Sequence, residues 1–170
     1  MQRFLTCCLL LFVAGGTSRT PHSHLLRDKL SGAWRLVTVE GQPPGLPGFY
    51  VHPSGLLVYG SSGTMSVQIA NRSGRKGFAG GLTAGTAAEK KADFDSYFSY
   101  YGTYTVDDAA GTVTHHIQDS SYPDLRGRSE VRWAELEGND RLVLIPQEDG
   151  RGGVVARKDA RYRLIWERIR

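Results

Sequence analysis

The sequence predicts an all-β fold, an eight-stranded antiparallel barrel with one helix inserted between strands 3 and 4. Eight short runs are rich in β-branched and aromatic residues, and Gly, Asn, Asp or Ser lies at several of their joints. In addition, Gly32 and Trp34 open the first run, while Trp166 and Arg168 close the last. The first and last strands of a closed barrel are neighbours, so Trp34 can stack on the guanidinium of Arg168. We therefore expect these four residues to be structural.

The predicted strands follow one another along the chain with short connections. They span residues 32–40, 55–60, 64–70, 102–107, 112–119, 130–137, 141–145 and 162–169. Tight hairpin turns are predicted at 60–63, 107–111 and 137–140, where small residues and residues that tolerate a left-handed backbone are found. Strands joined by tight turns pair as antiparallel neighbours, so the sequence predicts an up-and-down order.

One helix is predicted between the third and fourth strands. Thr86-Ala87-Ala88-Glu89 fits a capping box, in which threonine and glutamate side chains bind free amide groups of the first turn. Four aromatic residues then recur at helical spacing: Phe94, Tyr97, Phe98 and Tyr101. Gly102 is predicted to end the helix. We expect the aromatic face to seal one end of the barrel or to cover its wall; a lid over a ligand is the alternative.

The amino-terminal residues are typical of a signal peptide. Arg3 precedes the apolar run 4–14, which is too short to span a bilayer, and small residues at 14–16 suit a peptidase. The sequence thus predicts a signal peptide at 1–16, a linker at 17–30 and one barrel domain at 31–170, in a secreted or periplasmic protein. A mis-assigned start codon or a buried amino-terminal helix is the alternative.

Composition excludes several classes of protein. Cys7 and Cys8 lie in the predicted signal peptide, so the mature chain has no disulfide, cysteine nucleophile or thiolate metal site. The 170 residues carry a net charge of +4, but the basic residues are scattered. We therefore expect no nucleic-acid partner and no stable membrane anchor after signal cleavage. The oligomeric state is left open.

Strand alternation places particular side chains inside the barrel. Trp34, Leu36 and Thr38 share one face of the first strand, and Trp166 shares a face with Arg168 on the last.

Arg132 shares a face with Ala134 and Leu136, which predicts that it points inward. A buried guanidinium needs an internal partner or the anionic head group of a ligand. Arg132 outside with Trp133 inside is the alternative.

His115 and His116 are adjacent on one predicted strand, so they point to opposite faces and cannot chelate one metal ion. His115 shares a face with Val113 and is expected inside, where an imidazole could act as an acid or base. Another possible metal site would use His22, His24 and His52, but the sequence offers no carboxylate ligand to go with them. We expect no metal and no cofactor.

Several segments resemble the bacterial and fungal lipocalin-like domain family. They are Leu30-Ser31-Gly32-Ala33-Trp34-Arg35-Leu36, Gly63-Thr64-Met65-Ser66-Val67-Gln68, Tyr101-Gly102-Thr103-Tyr104-Thr105-Val106 and Gly111-Thr112-Val113-Thr114-His115-His116. The resemblance covers nearly all of residues 30–168 and implies a lipocalin-type barrel.

Three functions fit such a barrel. The first is a binding module for a small, largely apolar ligand, with a lining expected from Tyr59, Met65, Gln68, Tyr104, His115 and Arg132. The second, implied by the resemblance, is a cofactor-free isomerase or cyclase acting on a small natural-product-like substrate. Its catalytic candidates are His115 to move a proton, Arg132 to hold the oxyanion, and Tyr104. The third is a secreted interaction protein with a filled core, which the volume of the cavity would distinguish.

Overall fold

The computed structural model describes residues 26–41, 47–73, 75–147 and 154–170. The predicted signal peptide, residues 17–25 of the predicted linker, and His22 and His24 lie outside the described residues. The last five residues of that linker form a short helix, α1 (Leu26–Leu30).

Eight antiparallel strands close into one barrel in sequence order, so the predicted all-β, up-and-down architecture is confirmed. The strands are β1 (Gly32–Glu40), β2 (Pro53–Tyr59), β3 (Thr64–Asn71), β4 (Tyr97–Asp107), β5 (Thr112–Ser120), β6 (Ser129–Glu137), β7 (Arg141–Pro146) and β8 (Arg163–Arg168). Seven of them begin and end within two residues of the prediction. The helix α2 (Ala87–Asp95) lies between β3 and β4, and three 3-10 turns occupy Gly48–Tyr50, Pro123–Leu125 and Arg157–Asp159.

The predicted extent of the helix is wrong, although its capping box is confirmed. Thr86 accepts from the amide of Glu89, and the Glu89 carboxylate accepts from the amide of Thr86. Helix α2 then ends at Asp95, and Tyr97 begins β4 by pairing with Ala70 of β3. The aromatic residues from Tyr97 onward therefore alternate between two faces of a strand instead of forming one helical face. Pairing with β3 gives the backbone N–H and C=O groups of these residues hydrogen-bond partners. Aromatic side chains are also favoured in strands.

Gly102 does not end a helix; it allows two strands to approach closely. It follows a β-bulge in the pairing of β4 with β5. A side chain at this position would overlap the backbone carbonyl of His116. Glycine within a strand commonly marks such a close approach.

The barrel closes where β1 pairs with β8, and Trp34 lies opposite Arg168 in this ladder. Trp34 and Leu36 are buried as predicted. A bulge between Leu36 and Thr38 then shifts the alternation, so Val39 is buried in place of Thr38. The inward prediction for Thr38 is therefore wrong, because the bulge adds one residue to the strand.

Two apolar clusters lie on opposite sides of the sheet near β6 and β7. The main core fills the barrel and includes Ala134, Leu144 and Trp166. A second cluster of Val143, Ile145 and Ile165 packs against Trp133 and Ala160. Since Trp133 belongs to this second, outer cluster, its neighbour Arg132 points into the barrel. Neither described helix has the length and apolar character needed to cross a membrane.

Candidate functional site

A small cavity of about 20 Å³ lies inside the barrel. Its walls come from inward residues of six strands and from the 3-10 turn at Gly48–Tyr50. They are Tyr50, Leu57, Val67, Ile69, Phe98, Tyr100, Arg132, Leu144, Pro146, Leu164 and Trp166. This volume is enough for about one water molecule. Most of the wall is apolar, with polar atoms supplied by a guanidinium, an indole and two phenols.

Arg132 is the charged side chain in this wall. Its Nη1 donates to the backbone carbonyl of Glu130 at 3.0 Å, and no other described residue accepts from the guanidinium. Burial alone would lower the pKa of Arg132, but electrostatic interactions with Tyr100, Glu130, Tyr162 and Tyr59 in their ionised forms outweigh it and raise that pKa. The guanidinium therefore remains a cation with unused donors.

Trp166 contributes a second unused donor to the same wall. Its side chain is 1% exposed, and its Nε1–H has no acceptor among the described residues. Leaving a buried N–H group without an acceptor costs on the order of 1–3 kcal/mol. An oxygen atom of a bound molecule would remove this cost.

His115 lies behind the cavity wall and joins two tyrosines. It is 1% exposed; its Nε2 lies 2.6 Å from the Tyr59 hydroxyl, and its Nδ1 lies 2.7 Å from the Tyr100 hydroxyl. Burial lowers the pKa of His115 well below its ordinary value, and the positive charge of Arg132 acts in the same direction. The imidazole is therefore neutral near pH 7. Only Tyr100 of these three residues lines the cavity.

His116 points to the opposite face, as predicted from strand alternation. Its ring nitrogens lie 2.9 Å from the hydroxyl oxygens of Thr105 and Ser129 on the neighbouring strands. The predicted orientation of the histidine pair is thus confirmed. No three His, Cys, Asp or Glu residues among those described are grouped to hold a metal ion.

The predicted convergence of Tyr104, His115 and Arg132 on one pocket is not found. Tyr104 donates to the carbonyl of Gly60 at 3.0 Å, and Arg27 of α1 lies 5.7 Å from its ring centroid. Tyr104 is therefore associated with the end of the barrel that α1 covers. Of the three, Arg132 alone is part of the cavity wall.

The remaining predicted lining residues lie elsewhere. Tyr59 and Met65 are buried in the core but do not reach the cavity wall. Gln68 lies outside the barrel, because Val67 and Ile69 occupy the inner face of β3. Its amide donates to the Ser66 hydroxyl at 2.6 Å.

Sequence reasoning missed Tyr50 and Tyr100 as lining residues. Tyr100 was placed within the predicted helix, which hid the strand alternation that turns it inward. Tyr50 belongs to a 3-10 turn outside any predicted strand. The only local feature of the sequence that indicates burial of Tyr50 is its aromatic neighbour Phe49 in the same turn.

The comparison with known families agrees with this geometry. The lipocalin-like domain family matches residues 31–169, and the chain therefore belongs to this family. The lipocalin-like barrel is a fold that generally binds small molecules. A search of curated proteins finds no match.

Proposed function

We propose that this protein binds a small, largely apolar molecule inside the barrel, with an oxygen atom of the ligand against Arg132 and Trp166. The observation that supports this function is the indole N–H of Trp166, which has no acceptor among the described residues, in the same cavity wall as Arg132, whose guanidinium donates only one described hydrogen bond. Apolar walls with a few orienting polar groups are typical of ligand sites.

The cavity must enlarge to admit a molecule larger than water. Tyr50 is the side chain best placed to move, because it lies in a 3-10 turn instead of a barrel strand. Its hydroxyl is hydrogen-bonded to Tyr162. Displacing Tyr50 would open the wall without breaking the hydrogen bonds between strands.

Native mass spectrometry of protein purified from its own host tests this function, because a copurified mass would identify the occupant. Arg132→Met should lower the affinity for that occupant at least tenfold, which corresponds to about 1.4 kcal/mol. Arg163→Met is the matched control, since Arg163 is an exposed β8 residue paired with Glu40. Absence of any occupant, and of binding by apolar probes, would leave the filled-core interaction protein as the better interpretation.

The isomerase or cyclase alternative requires a proton path to the ligand. His115 cannot contact a molecule in this cavity directly, because both ring nitrogens are occupied by tyrosines and the ring is outside the wall. Any proton from His115 would have to pass through Tyr100. The geometry thus favours binding, and turnover of a copurified molecule would instead identify an enzyme.

We also propose that the protein is exported. Support comes from Arg3 and the apolar run 4–14, followed by small residues at 14–16. A binding function in a secreted or periplasmic protein is compatible with the absence of cysteine after residue 8.

A further inference from the structure

We propose that the cavity selects a carboxylate, because the hydrogen-bonding state of His115 makes Tyr100 a third donor toward the ligand. This inference rests on the proposed binding function and names the chemical class of the ligand's head group. It starts from the chain of contacts Tyr59–His115–Tyr100.

A neutral imidazole donates from one nitrogen and accepts at the other. His115 is buried, and its contacts with Tyr59 and Tyr100 are both short. One tyrosine must therefore donate to the ring, and the other must accept from it. The accepting tyrosine still has its own O–H group, which needs a further acceptor.

The two possible arrangements differ in where that remaining O–H group lies. If Tyr100 donated to Nδ1, Nε2–H would donate to Tyr59, and the Tyr59 hydroxyl would need another acceptor. Tyr59 is 1% exposed, does not line the cavity, and has no other side-chain hydrogen bond among the described residues. That arrangement leaves a buried hydroxyl unsatisfied.

The opposite arrangement avoids this cost. Tyr59 donates to Nε2, Nδ1–H donates to the Tyr100 oxygen, and the Tyr100 O–H group is available to the cavity that Tyr100 lines. A water molecule or a ligand can then accept from it. The structure therefore favours the Nδ1–H tautomer of His115.

Three donors then face one small space: the Tyr100 hydroxyl, the Arg132 guanidinium and the Trp166 indole. No aspartate or glutamate is part of the described wall, and the buried carboxylate that acts on Arg132 and Tyr100, that of Glu130, is not among its lining residues. A carboxylate accepts several hydrogen bonds and pairs with a guanidinium, whereas an alcohol or an amide adds donors that find few acceptors here. The apolar remainder of the wall suits an aliphatic or aromatic acid better than a fully polar anion.

The tautomer can be measured without any ligand. In ¹⁵N NMR spectra that correlate ring nitrogens with ring protons, we expect His115 to show a protonated Nδ1 and an unprotonated Nε2. His115→Gln identifies the signals. A protonated Nε2 would overturn the proposed hydrogen bonding even if the protein binds ligands.

Selectivity is measured with hexanoate, hexanamide, hexanol and inorganic phosphate, by following the Trp166 indole N–H signal. We expect hexanoate to bind at least tenfold more tightly than the amide or the alcohol. Tyr100→Phe should remove most of that difference. Tyr104→Phe is the control, because the Tyr104 hydroxyl donates to Gly60 outside the cavity wall.

The outcomes separate the two proposals. Equal affinity for hexanoate, hexanamide and hexanol would overturn carboxylate selection while supporting the binding function. Tighter binding of phosphate than of hexanoate would overturn carboxylate selection and show that the cavity prefers an inorganic anion. Absence of binding by every probe and of a copurified ligand would overturn the proposed function together with the carboxylate selectivity.

Discussion

The guanidinium carbon of Arg168 lies 4.1 Å from the centroid of the Trp34 ring, across the two strands that close the barrel. The same guanidinium donates to the backbone carbonyls of Lys29, Ser31 and Asn139. Arg168 thus joins the end of α1, the start of β1 and the turn between β6 and β7. Gly32 permits this approach, because a Cβ atom there would lie 2.8 Å from Nη1 of Arg168.

The contact between Trp34 and Arg168 should contribute measurable coupling energy. Trp34→Ala should lower the free energy of unfolding by about 3–5 kcal/mol, since it removes a fully buried ring. Urea denaturation of both single variants and the double variant should give a coupling of about 0.5–2 kcal/mol. Arg170→Ala is the control and should change little, because its pair with Asp140 is exposed. Strictly additive losses would show that the two side chains do not interact.

Gly102→Ala should prevent folding or destabilise the barrel by roughly 3 kcal/mol or more. The added methyl group would overlap the His116 carbonyl, and backbone atoms of a paired strand cannot move aside independently. Circular dichroism and urea denaturation measure the effect. Gly77→Ala is the control, because a Cβ atom at Gly77 meets no atom within 4 Å. Equal stability of the two variants would contradict the close approach of β4 and β5.

Local chemistry was sufficient to predict most of the fold from the sequence. Hairpin turns and β-branched runs are local features, and they located seven strands to within two residues. The start of β4 could not be located in this way, because Tyr97 and Phe98 fit a helical period as well as a strand. Pairing with Ala70 and Ile69 decided between the two, and such pairing is not local.

The candidate site was less predictable for a related reason. Alternation correctly placed His115 and Arg132 inside, but it could not show that His115 lies behind Tyr100. The position of His115 behind Tyr100 depends on how the side chains of β2, β4 and β5 pack together inside the barrel. Likewise, the bulge after Leu36 reversed the alternation without a signal in the sequence, so Val39 is buried in place of Thr38.

If the protein is exported, its mature chain should begin between Gly15 and Pro21 and contain no cysteine. Cleavage is expected there because small residues follow the apolar run. Intact-mass measurement of protein from the native host tests this, with protein made without an export pathway as the control. A mass that still includes Met1 or Cys7 would exclude the predicted processing.

His115 should make the stability of the barrel depend on pH. Burial lowers the pKa of His115 well below its ordinary value, and Arg132 and His116 act in the same direction. The unfolded chain binds a proton at this histidine near pH ~6.5, whereas the folded barrel excludes it. The contribution of His115 is therefore fully present above that pH. As the pH falls, stability is lost by up to about 1.4 kcal/mol per unit until the folded state also binds the proton.

Urea denaturation between pH 7.5 and pH 5 measures this contribution. His115→Gln should lower the free energy of unfolding at pH 7.5, because the two tyrosine contacts change, and should flatten its dependence on pH. His116→Gln is the matched control: His116 lies on the outer face, so this variant should keep most of the dependence on pH that the burial of His115 causes. The readout is the difference in slope between the variants, since a general loss of packing would lower stability equally at every pH. Parallel curves for wild type and His115→Gln would show that this imidazole does not exclude a proton on folding.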